Sequence, residues 1–222
     1  MRVTTEGAPP RAPFFLVTNH LSYTDVVLLA SQLDCIFVAK REVQAWPFLG
    51  ALTASVDSIF LDRENLRDIL RVNDEIEHAL ERGDGIVVFA EGTSSRGETV
   101  LPLRPSLLEL PARKDLPVRY ASISYRTPEG APAADRAVCW WGDMTFPGHF
   151  FRLLKLPYFE AQVVFGEKAI QEADRKQLAR RLHQAISERF VPVTEVVAAR
   201  VEGGPAPNVS HGHRPRLQAE IP

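Results

Sequence analysis

The stretch Phe14-Phe15-Leu16-Val17-Thr18-Asn19-His20-Leu21-Ser22-Tyr23-Thr24-Asp25 decides the reading of this chain. Its first four residues are an unbroken apolar run, the pattern of a strand buried on both faces. From Asp25 to Leu33 the apolar positions Val26, Leu29, Ala30 and Leu33 take up a helical period. A second apolar run, Cys35 to Ala39, follows directly. Strand, helix and strand in that order predict a βαβ unit and a largely parallel sheet. His20 then falls in the turn between the first strand and its helix.

That turn suits proton chemistry. An imidazole binds its proton near neutrality and can take one from a hydroxyl, provided a partner fixes its tautomer and orientation. Asp25 can be that partner only if His20 lies in the turn and Asp25 in the first helical turn, because five residues apart on one helix point in different directions. The same residues fit a plainer reading. Ser22 and Asp25 have the spacing of a capping box, which would leave His20 an ordinary turn residue.

A second stretch bears on the choice. Gly85 to Ala90 is another buried-strand run, and it feeds into Glu91-Gly92-Thr93-Ser94-Ser95-Arg96-Gly97. This places a carboxylate, hydroxyls, backbone N–H groups and a cation at a strand's carboxyl end, where open α/β sheets bind ligands. Gly92 and Gly97 have the spacing of a phosphate-cradling loop. Glu98 stands where the nucleotide-binding version needs lysine, so an NTPase is excluded.

Asn19-His20 with Asp25, then Lys40-Arg41-Glu42 with Pro47 and Gly50, then Phe89 to Thr93, then Leu116-Pro117-Val118 are four blocks in fixed order. In these blocks the chain resembles the glycerolipid acyltransferases of the bacterial 1-acylglycerol-3-phosphate acyltransferase type, including its lyso-ornithine-lipid branch, from about Phe14 to Phe190. The resemblance implies transfer of a fatty acyl group from acyl-CoA or acyl carrier protein to a lysolipid hydroxyl. His20 would be the general base and Asp25 its orienting carboxylate. Asn19, Lys40, Arg41, Glu91, Gly92, Thr93 and Arg96 would bind substrate, with backbone N–H groups around Gly92 and Thr93 facing the oxyanion. Neither a cofactor nor a metal is expected. The acceptor implied first is 1-acylglycerol-3-phosphate, with lyso-ornithine lipid the alternative. Ser94 departs from the commoner Glu-Gly-Thr-Arg-Ser wording, which removes an expected guanidinium and favours the alternative. A lysolipid-binding protein and a thioester hydrolase of the same fold are the rival functions.

Composition agrees with one globular domain. The chain has 222 residues, 45% of them hydrophobic, and a net charge of −2, which excludes the electrostatic footprint of a nucleic-acid binder. Cys35 and Cys139 lie in apolar runs and read as small buried hydrophobes of a reducing compartment. No apolar run is long enough to span a bilayer, so a lipid substrate would be met at the cytosolic membrane surface, by a cytoplasmic protein peripheral at the inner face.

The remaining chain predicts an α/β single domain over 13–195, with a mixed or largely parallel sheet flanked by helices. Residues 1–12 read as a flexible lead-in and 202–222 as a disordered tail. Further strands are expected at 58–61, 116–125, 138–142 and 158–166. Helices are expected at 46–53, near 106–110, from Glu64 to a stop at Gly83, and after a capping Asp174. The long helix would set Leu66, Ile69, Leu70, Ile76, Ala79 and Leu80 on one face. Phe146 to Leu156 combines aromatics, aliphatics and two cations, which fits either core packing or an interfacial membrane contact.

Overall fold

The computed structural model describes residues 1–45, 50, 58–62 and 65–194. The predicted helix at 46–53, its Pro47, and the predicted disordered tail lie outside the described residues.

Among the described residues, seven strands form one sheet in the order β1-β7-β6-β2-β5-β3-β4. They are β1 Arg2–Glu6, β2 Phe14–Thr18, β3 Cys35–Lys40, β4 Ile59–Leu61, β5 Gly85–Phe89, β6 Val118–Arg126 and β7 Glu160–Phe165. Every pairing is parallel except β6 with β7. The expected βαβ unit is therefore present, and its first strand is central. All five residues of β2 are buried, as an apolar run covered by helices on both sides requires.

The alternation of β2 divides the core in two. Phe15 and Val17 face one layer with Ile86 and Val88, under α2 (Leu66–Arg82) and α6 (Arg175–Ser187). Phe14 and Leu16 face the other with Val87, under α1 (Thr24–Ala30). Among the described residues, short helices α3 (Glu109–Arg113), α4 (Ala134–Ala137) and α5 (Phe146–Leu154) add to the α layers. Gly83 takes φ +98°, the left-handed geometry expected at the end of α2, and Asp174 Oδ1 caps α6 by accepting from the Gln177 amide at 2.8 Å.

Three sequence expectations need correction. Residues 2–6 are not a free lead-in: β1 pairs in parallel with β7, from Arg2 opposite Glu160 to Glu6 opposite Val164. All five β1 residues are exposed, so no hydrophobic pattern announced the strand. Residues 138–142 are not a strand. Val138 and Cys139 are buried without pairing in the sheet, and the indole N–H groups of Trp140 and Trp141 donate at 2.8 Å to the carbonyls of Met144 and Asp135. An apolar run needs burial, and packing against a sheet face supplies it as well as a ladder does. Leu70 is 55% exposed. It lies across the helix from buried Val72, Ile76 and Ala79 because a 3.6-residue period turns it away from them.

Register then fixes the site. Thr18 sits opposite Phe89, so the chain leaves β2 and β5 side by side, and β3 and β4 end on the same edge. On its other side β2 is paired to β6 up to Thr18 opposite Ala121. The end of β6 runs on past that point, alongside the turn that follows β2.

Candidate active site

His20 lies in the turn between β2 and α1, and its Nδ1 donates to Asp25 Oδ2 at 2.7 Å. The tautomer follows from the acceptor. Asp25 Oδ2 also receives the amides of Leu21 at 2.7 Å and Ser22 at 3.1 Å, so the carboxylate acts as acceptor throughout and the shared hydrogen belongs to the imidazole. Nε2 has no partner among the described residues, and the side chain is 21% exposed while that of Asp25 is fully buried. The ring is held from the other side by Phe89, stacked at 4.1 Å between centroids.

The plainer capping reading holds in the same atoms. The Ser22 amide donates to the Asp25 carboxylate, which is half of a capping box, although the residue that caps α1 is Tyr23 and no side chain caps it. One carboxylate thus finishes the helix and orients the histidine. Its second oxygen is taken by a residue that sequence reasoning missed: the hydroxyl of fully buried Tyr125 donates to Asp25 Oδ1 at 2.6 Å and accepts from Thr24 Oγ1 at 3.1 Å. Tyr125 lies 100 residues from Asp25, and no local pattern could have signalled it.

The loop after β5 is tied to the His20 turn in both directions. Glu91 Oε2 accepts the His20 amide at 3.1 Å and Oε1 accepts the Leu101 amide at 2.9 Å, while the Ser95 amide donates to the His20 carbonyl at 3.0 Å. Burial pushes the Glu91 carboxyl up to about 8, against those two amides, with a further rise from the charge of Asp25. Glu91 anchors the loop.

Other expected site residues take different places. Asn19 is fully buried; its amide group donates to the Ile123 carbonyl at 2.9 Å and accepts the Ile123 amide at 2.8 Å. It joins the end of β2 to β6 and is fully buried, so it acts on the position of His20 from within the protein. Gly92 is a turn residue at φ +77° whose N–H donates to the Phe89 carbonyl at 3.0 Å, which removes it as an oxyanion donor. Thr93 is exposed, and its backbone N–H has no partner among the described residues. Ser94 Oγ donates to the Trp140 carbonyl.

The cations are set apart. Lys40 ends β3 and Arg41 opens the turn after it, two strands from His20 and so roughly 10 Å away across the sheet. Arg41 is paired with Asp68 at 2.8 Å and lies 3.9 Å from Asp62. Arg96 is paired with buried Asp135 at 2.9 Å and with Glu98 at 3.1 Å. Lys40 is exposed, without a partner among the described residues. Burial pushes the Cys35 thiol up to about 12 and that of Cys139 higher, so neither supplies a thiolate near neutrality. A cavity of about 830 Å³ opens at the opposite, amino end of β3, lined by Cys35, Ser58, His78 and Arg82, and is separate from the His20 edge.

An oriented imidazole with one nitrogen unpartnered among the described residues, at the carboxyl edge of a largely parallel sheet, is an arrangement able to take a proton from a hydroxyl. The comparisons narrow it. The acyltransferase family model matches residues 1–123. Lyso-ornithine lipid O-acyltransferases of Rhizobium meliloti and Pseudomonas aeruginosa are each 32% identical, the first over 95% of this chain and 77% of its own length, the second over 83% and 70%. The crystal structure of the 1-acyl-sn-glycerophosphate acyltransferase PlsC from Thermotoga maritima shares the fold at a TM-score of 0.55 and 20% identity, covering 85% of this chain and 72% of that one. The chain belongs to the acyltransferase family.

Proposed function

We propose that this chain moves a fatty acyl group from acyl-CoA or acyl carrier protein to the hydroxyl of a lysolipid at the cytosolic face of a membrane, and that the acceptor is lyso-ornithine lipid. The observation that carries the reaction is the 2.7 Å contact of His20 Nδ1 with Asp25, which leaves Nε2 open. Nε2 takes the proton of the acceptor hydroxyl as its oxygen attacks the thioester carbonyl. Asp25 offsets the charge that then develops on the imidazolium. The tetrahedral intermediate collapses with cleavage of the carbon–sulfur bond, and the departing thiolate takes the proton back from His20. The Thr93 amide is a loop donor able to face the oxyanion. Transfer is direct, with no acyl-enzyme: the sequence has no Gly-x-Ser-x-Gly elbow, and both thiols are kept protonated.

The choice of acceptor rests on charge. Arg41 and Arg96, two of the cations expected to meet a phosphate, each face carboxylates already, and Ser94 supplies no guanidinium. The names of the two relatives reported above support the same choice. A second reading, with 1-acylglycerol-3-phosphate as acceptor, is favoured by Lys40, an uncompensated cation on the same edge.

Thiol release from acyl-CoA or acyl carrier protein, measured alone and with each lysolipid, tests all of this when the lipid product is weighed. Acceptor-dependent release with lyso-ornithine lipid is expected. Release without any acceptor would make the protein a hydrolase, and saturable lipid binding without release would make it a binding protein.

A further inference from the structure

Helix α5, Phe146–Leu154, has two faces of different character. Its inner face packs on the active-site turn: His149 is buried and its Nδ1 shares a 3.1 Å hydrogen bond with the Tyr23 hydroxyl, while the Phe146 ring stands edge-on to Tyr23 at 5.2 Å. Tyr23 is three residues past His20. On the outer face Pro147, Phe151 and Leu154 recur at helical spacing, with Phe151 64% and Leu154 62% exposed. A helix end that closes a core on one side has no folding reason to present a phenylalanine and a leucine to water on the other.

What surrounds those two side chains says what covers them. Arg152 and Lys155 are exposed beside them, and Arg152 donates to the Arg136 carbonyl at 3.1 Å, which brings the side of α5 against a third exposed cation. In the sequence flanking the helix the acidic residues are Asp135, which is buried and already paired with Arg96, Asp143 in the turn before the helix, and Glu160 at the start of β7. An apolar pair rimmed by cations is the composition of a helix lying in the interface of an anionic bilayer, the apolar side chains among the acyl chains and the cations among the head groups.

We propose that the outer face of α5 is the surface by which this protein docks on an anionic phospholipid membrane, with Phe151 and Leu154 inserted and Arg152 and Lys155 against the head groups. This deepens the reaction proposed above, since a lysolipid acceptor and its product both reside in a bilayer. Docking through α5 sets that bilayer one helix thickness, about 10 Å, from the turn that carries His20.

The test uses the whole chain and vesicles of phosphatidylcholine alone or mixed equally with phosphatidylglycerol, with binding read by co-sedimentation. Stronger binding to the mixed vesicles is expected. The double variant Phe151→Ser, Leu154→Ser should bind them about 30-fold or more weakly, since two apolar anchors are lost. Arg152→Glu with Lys155→Glu should remove the preference for phosphatidylglycerol, and tryptophan at 154 in Leu154→Trp should shift its emission to the blue on mixed vesicles. Turnover of a short-chain acceptor dispersed as monomers should be unchanged in the serine variant. Equal vesicle binding by wild type and serine variant overturns the proposal, and so does a dimer that the serine variant dissolves, which would give the face to a second copy. His20→Ala separates the two readings: it should dock as wild type does without turnover, and a wild type that docks but never releases thiol refutes the reaction alone.

Discussion

Two regions on one edge of the sheet carry charge in opposite ways. At the ends of β2 and β5 a buried aspartate receives Nδ1 of His20, two backbone amides and a tyrosine hydroxyl, and a single ring nitrogen is left open. At the ends of β3 and β4, Arg41 and Arg71 share Asp68, whose carboxyl is held down at about 2, by the Arg71 hydrogen bond first and then by the Asp62 amide. Arg41 and Arg71 are 50% and 42% exposed. The first region is arranged so that one valence stays unspent in a fixed direction. The second is a solvated network in which, among the described residues, Arg41 and Arg71 are both answered by carboxylates while neighbouring Lys40 is not, and such networks contribute little to stability and little to reactivity.

The two regions differ most at His20. His20→Ala should lower acyl transfer on the order of 10³-fold with an unfolding midpoint near that of wild type, because the ring reaches the surface. A folded variant that still turns over would end the distinction between the regions. Asp25→Asn should lose activity to a similar degree and also about 1–3 kcal/mol of stability in denaturant unfolding, since an amide NH₂ would face donors that now share a carboxylate. Tyr125→Phe is a finer probe. It leaves the Oδ2 contacts in place and should cost about tenfold in kcat with the acceptor KM unchanged, because it loosens Asp25 without touching the acceptor. Restoration of activity by any buried donor at that position would confirm a positioning role.

Glu91 sharpens the contrast through pH. Its folded carboxyl lies near 8 and its ordinary value is 4.5, so between these the folded chain holds a proton that the unfolded chain releases. The stabilisation is complete below 4.5 and is lost as pH rises through about 8. Glu91→Gln should remove that slope from a stability profile. The smallest effect is expected from Arg41→Ala: about threefold or less on the acceptor KM and less than about 1 kcal/mol on stability, since Arg71 and the Asp62 amide still hold Asp68. A tenfold rise in KM would assign Arg41 to the acceptor and favour the phosphate head group.

Much of this arrangement was legible in the sequence. The apolar runs at 14–17 and 86–90 became β2 and β5 because continuous hydrophobicity forces burial on both faces, and the turns after them had nowhere to go but the carboxyl edge. The His20 and Asp25 spacing was readable because both lie within one turn and the first residues of one helix. Asn19, Gly92, Arg41 and Arg96 were placed by residue type, as groups able to bind a ligand. Their polar atoms are instead spent within the protein, on Ile123, Phe89, Asp68 and Asp135. Nothing within a few residues of any of them distinguishes a free donor from one already used.

By itself the sequence determined the βαβ frame and the helix ends at Gly83 and Asp174, which depend on period and capping, and it put His20 and Asp25 within one turn of each other, where spacing alone allowed either a pair or a plain cap. Tertiary structure alone decided the edge pairing of β1, the delivery of Tyr125 to Asp25, the loss of Gly92 as a donor and the exposed outer face of α5. Those outcomes depend on strand register and on which distant element arrives first at a polar atom, and a hydrogen bond between residues 100 apart leaves no trace in either neighbourhood.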